Sequence, residues 1–275
     1  MVVCDFDNDG WNDLVLVGDW MAIQFFRNNK GYFQNVTSNL GLNQMIGWWN
    51  SIESDDLNGD GIPDFVVGNH GLNTFFQEGD RAYINDFDKN GSIEQIYCTK
   101  VGNRYYPVVD RDDLLAQLPS LKKILLYNKE YSKMSIEDIF SPKTLESTKI
   151  LQVSSLKSIM LVSSPSGYQV QELPSEAQYS PLYALKIVDI DHDGILDLLA
   201  GGNNYYVKPQ FGRFDASFGW FFKGNLRNND FYFKPGVSLG VDGQIRDIEV
   251  VDCKNFKYIF FSKYGEKVES FKLFF

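Results

Sequence analysis

Short apolar runs alternate with acidic, glycine-containing loops along the chain, and this alternation is its dominant pattern. Val2-Val3-Cys4 precedes DFDNDGWND (Asp5 to Asp13), and Leu14-Val15-Leu16-Val17-Gly18 follows it. The arrangement returns at DLNGDGIPD (Asp56 to Asp64) before Phe65-Val66-Val67-Gly68-Asn69, and at DFDKNGSIE (Asp86 to Glu94) before Gln95-Ile96-Tyr97. It returns again at DIDHDGILD (Asp189 to Asp197), between Leu185-Lys186-Ile187-Val188 and Leu198-Leu199-Ala200-Gly201-Gly202. Short β-branched and aromatic runs bounded by Gly, Asn and Asp read as strands joined by tight loops. A repeated unit of this kind points to one supersecondary element used several times.

The loops start at residues 5, 56, 86 and 189. The first interval suits one four-stranded antiparallel propeller blade, the second is short for one, and the third is too long. The predicted fold is all-β, a β-propeller of four to five antiparallel blades within residues 1–275, complete or part of a larger propeller, with a small helical insertion. The insertion is placed at residues 100–148. There Asp110 and Asp113 resemble a capping box, Leu114, Leu115 and Leu118 form an apolar face, and Pro119 stops the helix. Ser135 is positioned to cap Ile136–Phe140, and Ser141-Pro142 is a cap followed by proline at the first helical position. Strands resume near Ile150, Ile159 and Tyr168. A last repeat is decayed: in DCKNFKYI (Asp252 to Ile259) Lys254 occupies position 3 and the glycine is missing, so no ion is expected there, with lysine supplying the charge.

The loop spacing carries chemistry. Calcium takes six to eight oxygen ligands. Oxygen side chains at positions 1, 3, 5 and 9 with the backbone carbonyl at position 7 can surround one ion, and glycine at position 6 permits the reversal. The predicted ligands are Asp5, Asp7, Asp9, Trp11 and Asp13; Asp56, Asn58, Asp60, Ile62 and Asp64; Asp86, Asp88, Asn90, Ser92 and Glu94; and Asp189, Asp191, Asp193, Ile195 and Asp197, with Trp11, Ile62, Ser92 and Ile195 using their carbonyls. Three to four Ca²⁺ ions are expected. The first and fourth loops, with four carboxylates each, should bind best, and the third, with Asn90 and Glu94, should be the weakest. An EF-hand is excluded because position 12 holds Leu16, Val67, Tyr97 and Ala200 rather than an acid.

Charge sharpens this picture. The chain has 36 acidic and 26 basic residues, and the four loops hold 14 of the acids. The negative balance argues against nucleic acid as a partner, and no apolar run is long enough to span a membrane. Cys4, Cys98 and Cys253 are too dispersed for a disulfide scaffold and read as small buried hydrophobes. With no signal peptide before Asp5, the chain is expected to start inside its first strand and to be a C-terminal fragment of a longer protein.

These loops resemble the FG-GAP/VCBS repeat family, and more distantly the propeller heads of integrin α-subunits. Gly47–Ser51, Gly68–Asn73, Arg111–Pro119 and Lys208–Asp215 are similar to a bacterial subgroup related to cartilage acidic protein and often carrying an ASPIC/UnbV segment. The resemblance implies an exported or cell-surface protein in which calcium stabilises a propeller used for adhesion or ligand display, without catalysis.

Ligand chemistry must come from other segments. Trp48, Trp49, Tyr205, Tyr206 and Trp220, with Asn203, Lys208, Gln210 and Arg213, form a candidate surface for a protein or glycan partner, and packing between blades is the competing reading. A polysaccharide-acting enzyme would need a carboxyl pair outside the loops, such as Glu53 and Asp215. A purely structural end-piece of a larger surface protein is the third possibility. The two histidines, His70 and His192, read as structural and as a solvated loop residue, and no nucleophile motif is present. The oligomeric state is not readable.

Overall fold

The computed structural model describes residues 1–227 and 230–274. The chain forms two compact units, Met1–Phe75 with Ser155–Phe275, and Phe76–Ser154. It is mostly β, with several small four-stranded antiparallel sheets and one helical insertion.

Among the described residues, four sheets of the first unit are each a meander in chain order, and two two-stranded ribbons, Asp19–Ala22 with Ile46–Trp48 and Gly224–Arg227 with Asp230–Phe233, accompany them. The first sheet is Val2–Cys4, Asp13–Leu16, Gln24–Asn29 and Tyr32–Asn35. The second is Ser51–Asp55, Asp64–Gly68, Ile159–Ser164 and Gly167–Glu172. The third is Leu182–Val188, Asp197–Gly202, Trp220–Phe222 and Val237–Ser238. The fourth has three strands, Ile245–Cys253, Phe256–Lys263 and Glu269–Phe274. Successive first strands are neighbours: Val2–Cys4 lies beside Ser51–Asp55, which lies beside Leu182–Val188, which lies beside Ile245–Cys253. This arrangement is consistent with propeller blades.

The core between these sheets comes from strand alternation. Phe25, Phe65 and Phe222 are fully buried, and Trp49, Leu161 and Leu198 pack in the same clusters. Burying each such side chain stabilises the fold by roughly 1.5–3 kcal/mol. The second strands of the second and third sheets end in glycine because backbone crowds them. A Cβ on Gly202 would lie 1.6 Å from the Pro181 carbonyl oxygen, and one on Gly68 would lie 2.6 Å from that of Leu182.

The other unit has its own sheet, in the order Lys149–Gln152, Arg81–Asn85, Glu94–Val101, Arg104–Pro107. Its last two strands in sequence are separated by helices α1 (Arg111–Gln117), α2 (Asn128–Tyr131), α3 (Ile136–Ile139) and α4 (Pro142–Glu146). Leu114, Leu118 and Ile136 close over Tyr83, Ile96 and Cys98. Asp110 precedes α1 without a side-chain cap bond, in contrast to the expected capping box. At α3 the Asp138 carboxylate does accept from the Ser135 N–H at 2.9 Å, and at α4 the Ser141 hydroxyl accepts from the Thr144 N–H at 3.3 Å. The expected insertion at 100–148 covers these helices; the compact unit around them also takes in the strands on either side and the third acidic loop.

The irregular spacing of the loops now has a cause. Strands Asp64–Gly68 and Ile159–Ser164 pair directly, with Val67 opposite Ile159, so the inserted unit interrupts one sheet between its second and third strands. With that unit set aside, the distance from Asp56 to Asp189 is again that of one blade.

The decayed repeat is a tight hairpin turning at Lys254 and Asn255. Lys254 is exposed in that turn. The buried cation is Lys257, whose ammonium lies 3.5 Å from the Asp252 carboxylate and donates to the Asp189 carbonyl. The assignment of the substituting charge to Lys254 is therefore corrected to Lys257, which the strand alternation turns inward.

Candidate metal sites

Each acidic loop joins the first and second strands of a sheet, or the equivalent pair Arg81–Asn85 and Glu94–Val101 in the inserted unit. Position 4 and position 6 both have positive φ: Asn8, Gly59, Lys89 and His192 lie at 59–77°, and Gly10, Gly61, Gly91 and Gly194 at 83–90°. Two left-handed residues flanking position 5 curl the loop so that its side chains converge. The position-6 need for glycine is visible in the sequence; the strain at position 4 is not, because Lys89 and His192 adopt it against their preference.

The loops share one hydrogen-bond scheme. The position-1 carboxylate accepts from the position-6 N–H, at 2.7 Å for Asp5 and Gly10, 2.8 Å for Asp56 and Gly61, and 2.9 Å for Asp86 and Gly91 and for Asp189 and Gly194. The position-5 side chain accepts from the position-7 N–H, at 3.0, 2.8, 2.7 and 2.9 Å for Trp11, Ile62, Ser92 and Ile195. The position-9 carboxylate is buried and accepts from the position-2 N–H: Phe6 to Asp13, Leu57 to Asp64, Phe87 to Glu94 and Ile190 to Asp197. Exposed Trp11 has its ring outside the loop.

In the first unit the position-9 Asp has a second anchor that sequence inspection missed. Its other oxygen accepts a backbone N–H from the third strand of the sheet or the residues just after it: Asn28 to Asp13 at 2.7 Å, Ser163 to Asp64 at 2.6 Å, Gly224 to Asp197 at 2.8 Å. Burial raises the carboxyl pKa of all three, against the lowering effect of these N–H groups.

Three sets of acids bring ligand oxygens within 4.8 Å of one another: Asp5, Asp7 and Asp13; Asp86, Asp88 and Glu94; Asp189, Asp191 and Asp197. The second loop has the Asn58 amide at position 3, and its Nδ2 donates to Asp60 at 3.2 Å. Clustered, all-oxygen donors of this kind fit a hard divalent cation such as calcium.

The loops also meet partners from neighbouring strands. Arg27 Nε lies 2.7 Å from Asp7 and its Nη2 3.0 Å from Asp9. Lys223 Nζ contacts Asp191 and lies 2.9 Å from Asp193. At the second loop the neighbour is neutral, the Ser163 hydroxyl donating to Asp60 at 2.7 Å. The Lys223 contact holds the Asp193 carboxyl below its usual range. For Asp60, burial raises the carboxyl, and bonds from Ser163, the Ile62 N–H and Asn58 outweigh it.

The aromatic and amide candidates separate into two groups. Trp48, Trp49 and Trp220 are buried, so they pack as core, and Asn203 is 1% exposed. Its amide donates to the Ser217 and Gly243 carbonyls and accepts from the Ser180 hydroxyl and the Ser217 N–H, a clamp matched by Asn69 in the second sheet. These four are corrected from surface ligands to packing residues. Tyr206, Lys208, Gln210 and Arg213 are exposed and Tyr205 is partly so; Arg213 lies 3.8 Å over the Tyr205 ring, and Tyr206 meets Tyr264 edge-on at 5.6 Å. His70 is held between Trp48 and Phe214, and burial pushes its pKa down to about 4. His192 is exposed in its loop. Glu53 is raised by burial and faces Lys186, Glu249, Asp55 and Asp247, whereas Asp215 pairs with Arg213 at 3.8 Å. The cysteines are free thiols, Cys98 fully buried and Cys4 and Cys253 partly so. Among the described residues no helix is long and apolar enough to cross a membrane.

The family model described as FG-GAP-like repeat matches residues 5–67, which span the first two loops. No curated protein matches the chain.

Proposed function

We propose that this chain is a non-catalytic, calcium-stabilised repeat propeller, exported or displayed at a cell surface, that binds a protein or glycan partner. The observation that carries the reading is the convergence of acidic oxygens within 4.8 Å in loops of one shared scheme. Each set would repel itself without a cation. Three to four Ca²⁺ ions would be held by the loops, the second using Asp56, Asn58, Asp60 and Asp64. A cation bound only by the native chain stabilises it by mass action. The match to an FG-GAP-like repeat over the first two loops supports the same reading.

Partner binding is assigned to the segment from Tyr205 to Arg213 with Tyr264. Exposed tyrosine rings beside Gln210 and Arg213 offer stacking area and hydrogen bonds suited to a sugar ring or a peptide.

Thermal unfolding in excess CaCl₂ and in EGTA tests the calcium part. Chelation should lower the midpoint by roughly 10 °C or more, given about 2.7 kcal/mol per site at a hundredfold excess over Kd; an unchanged midpoint would sink it. Glycan-array and peptide-display binding by wild type and Tyr206→Ala tests the ligand face. Equal binding by both, or turnover of a glycan lost on Glu53→Gln, would replace that reading.

A further inference from the structure

Arg27 and Lys223 occupy the same place in two different sheets. Each immediately precedes the residue whose N–H holds the position-9 carboxylate, Asn28 in one sheet and Gly224 in the other. Each follows a Phe-Phe pair, Phe25-Phe26 and Phe221-Phe222. Each reaches across to the position-3 and position-5 carboxylates of its loop: Arg27 to Asp7 and Asp9, Lys223 to Asp191 and Asp193. In the second sheet the equivalent residue is Val162, which is buried and uncharged, and the Ser163 hydroxyl meets Asp60 instead. Among the described residues no ion pair reaches Asp86, Asp88 or Glu94 of the third loop.

The two loops richest in carboxylates are thus the two that carry a built-in cation. We propose that Arg27 and Lys223 are internal counter-cations that compete with calcium for the first and fourth loops, so that the second loop binds calcium ahead of them. The proposal rests on the calcium reading above. Its physical basis is simple. A divalent ion entering either loop must share position-3 and position-5 carboxylates with a guanidinium or ammonium already hydrogen-bonded to them, and two like charges at such a distance repel. The second loop has one carboxylate fewer and no such competitor. The consequence is a graded response: the first and fourth loops stay ordered at low calcium through their own cation, and the second and third depend on the ion.

The amides of Gly10, Gly61, Gly91 and Gly194 each donate to a position-1 carboxylate and so report one loop each. A calcium titration of the full chain, followed by the NMR shifts of these four amides, reads the sites separately. In wild type Gly61 should move at lower calcium than Gly10 and Gly194. Arg27→Gln should lower the Gly10 midpoint on the order of tenfold and leave Gly194 unmoved, and Lys223→Gln should do the reverse. Arg27→Lys and Lys223→Arg keep the charge and should stay within about threefold of wild type. Without calcium, the two Gln variants should melt below wild type. Midpoints that do not move, or that rise, in the Gln variants while calcium still binds would overturn the counter-cation role and leave the calcium reading intact. No response of any glycine in any variant would overturn both.

Discussion

The acidic loop at Asp56–Asp64 and the one at Asp86–Glu94 have nearly the same sequence pattern and share the position-1, position-5 and position-9 hydrogen bonds, yet they are anchored differently. At the second loop the Asp64 carboxylate accepts on both oxygens, from Leu57 and Asn58 within the loop and from Ser163 on the third strand. At the third loop the Glu94 carboxylate accepts from Phe87 within the loop. The reason is strand register. Ile159–Ser164 runs alongside Asp64–Gly68 and continues past it to bring the Ser163 N–H onto Asp64. In the inserted unit, Arg104–Pro107 pairs only with Cys98–Val101, the far end of its partner, and leaves Glu94 without a flanking strand on that side. A motif whose oxygens could hold an ion is therefore also a clamp on the sheet in one setting and only a loop in the other.

The largest way to break this contrast is to remove the anchor. Asp64→Ala leaves two buried N–H groups without their acceptor and should cost about 2–4 kcal/mol of unfolding free energy, whereas Glu94→Ala should cost about 1 kcal/mol. Urea unfolding at fixed calcium measures both; equal costs would mean that the third-strand bond adds nothing.

Acid should next separate the two units through His70, which lies in the first. Its folded pKa of about 4 is below the unfolded value near 6.5. The unfolded chain therefore binds the proton first, and the stability present above about pH 6.5 is lost as pH falls toward 4, up to roughly 3 kcal/mol. Hydrogen exchange of strands Asp64–Gly68 and Glu94–Val101 at pH 7 and pH 5 should show the first losing more protection. His70→Gln should remove that difference, and a pH response that survives the substitution would place its origin elsewhere.

The smallest effect expected concerns chelation. In EGTA, the amide of Gly91 should gain exchange rate about tenfold more than that of Gly61, because the third-strand bond to Asp64, a charge-assisted bond of about 1.4 kcal/mol, has no counterpart at Glu94 among the described residues. Equal acceleration would make the loops equivalent despite their registers.

The repeat itself was readable from the chain. Apolar runs around DxDxDGxxD-like loops located the first and second strands, since strand alternation and the glycine at position 6 are local requirements. Leu114, Leu115, Leu118 and Pro119 marked the first helix for the same reason. The aromatic segments were harder. Trp48, Trp49, Trp220 and Asn203 look like recognition residues in a linear reading, and packing between sheets buries all four.

By itself the sequence determined the loops, their donor atoms and the strands they join, because these depend on residues a few positions apart. The tertiary structure alone decided which loop sits in which sheet. It showed that the chain leaves the second sheet at Gly68 and returns at Ile159, so the third loop belongs to a separate unit. It also decided which residue in or just after the third strand meets three of the loops: a guanidinium at the first, a hydroxyl at the second, an ammonium at the fourth. The Phe-Phe pairs before Arg27 and Lys223 recur in the sequence, but their distance from the loops differs, and only strand pairing brings them to the same place.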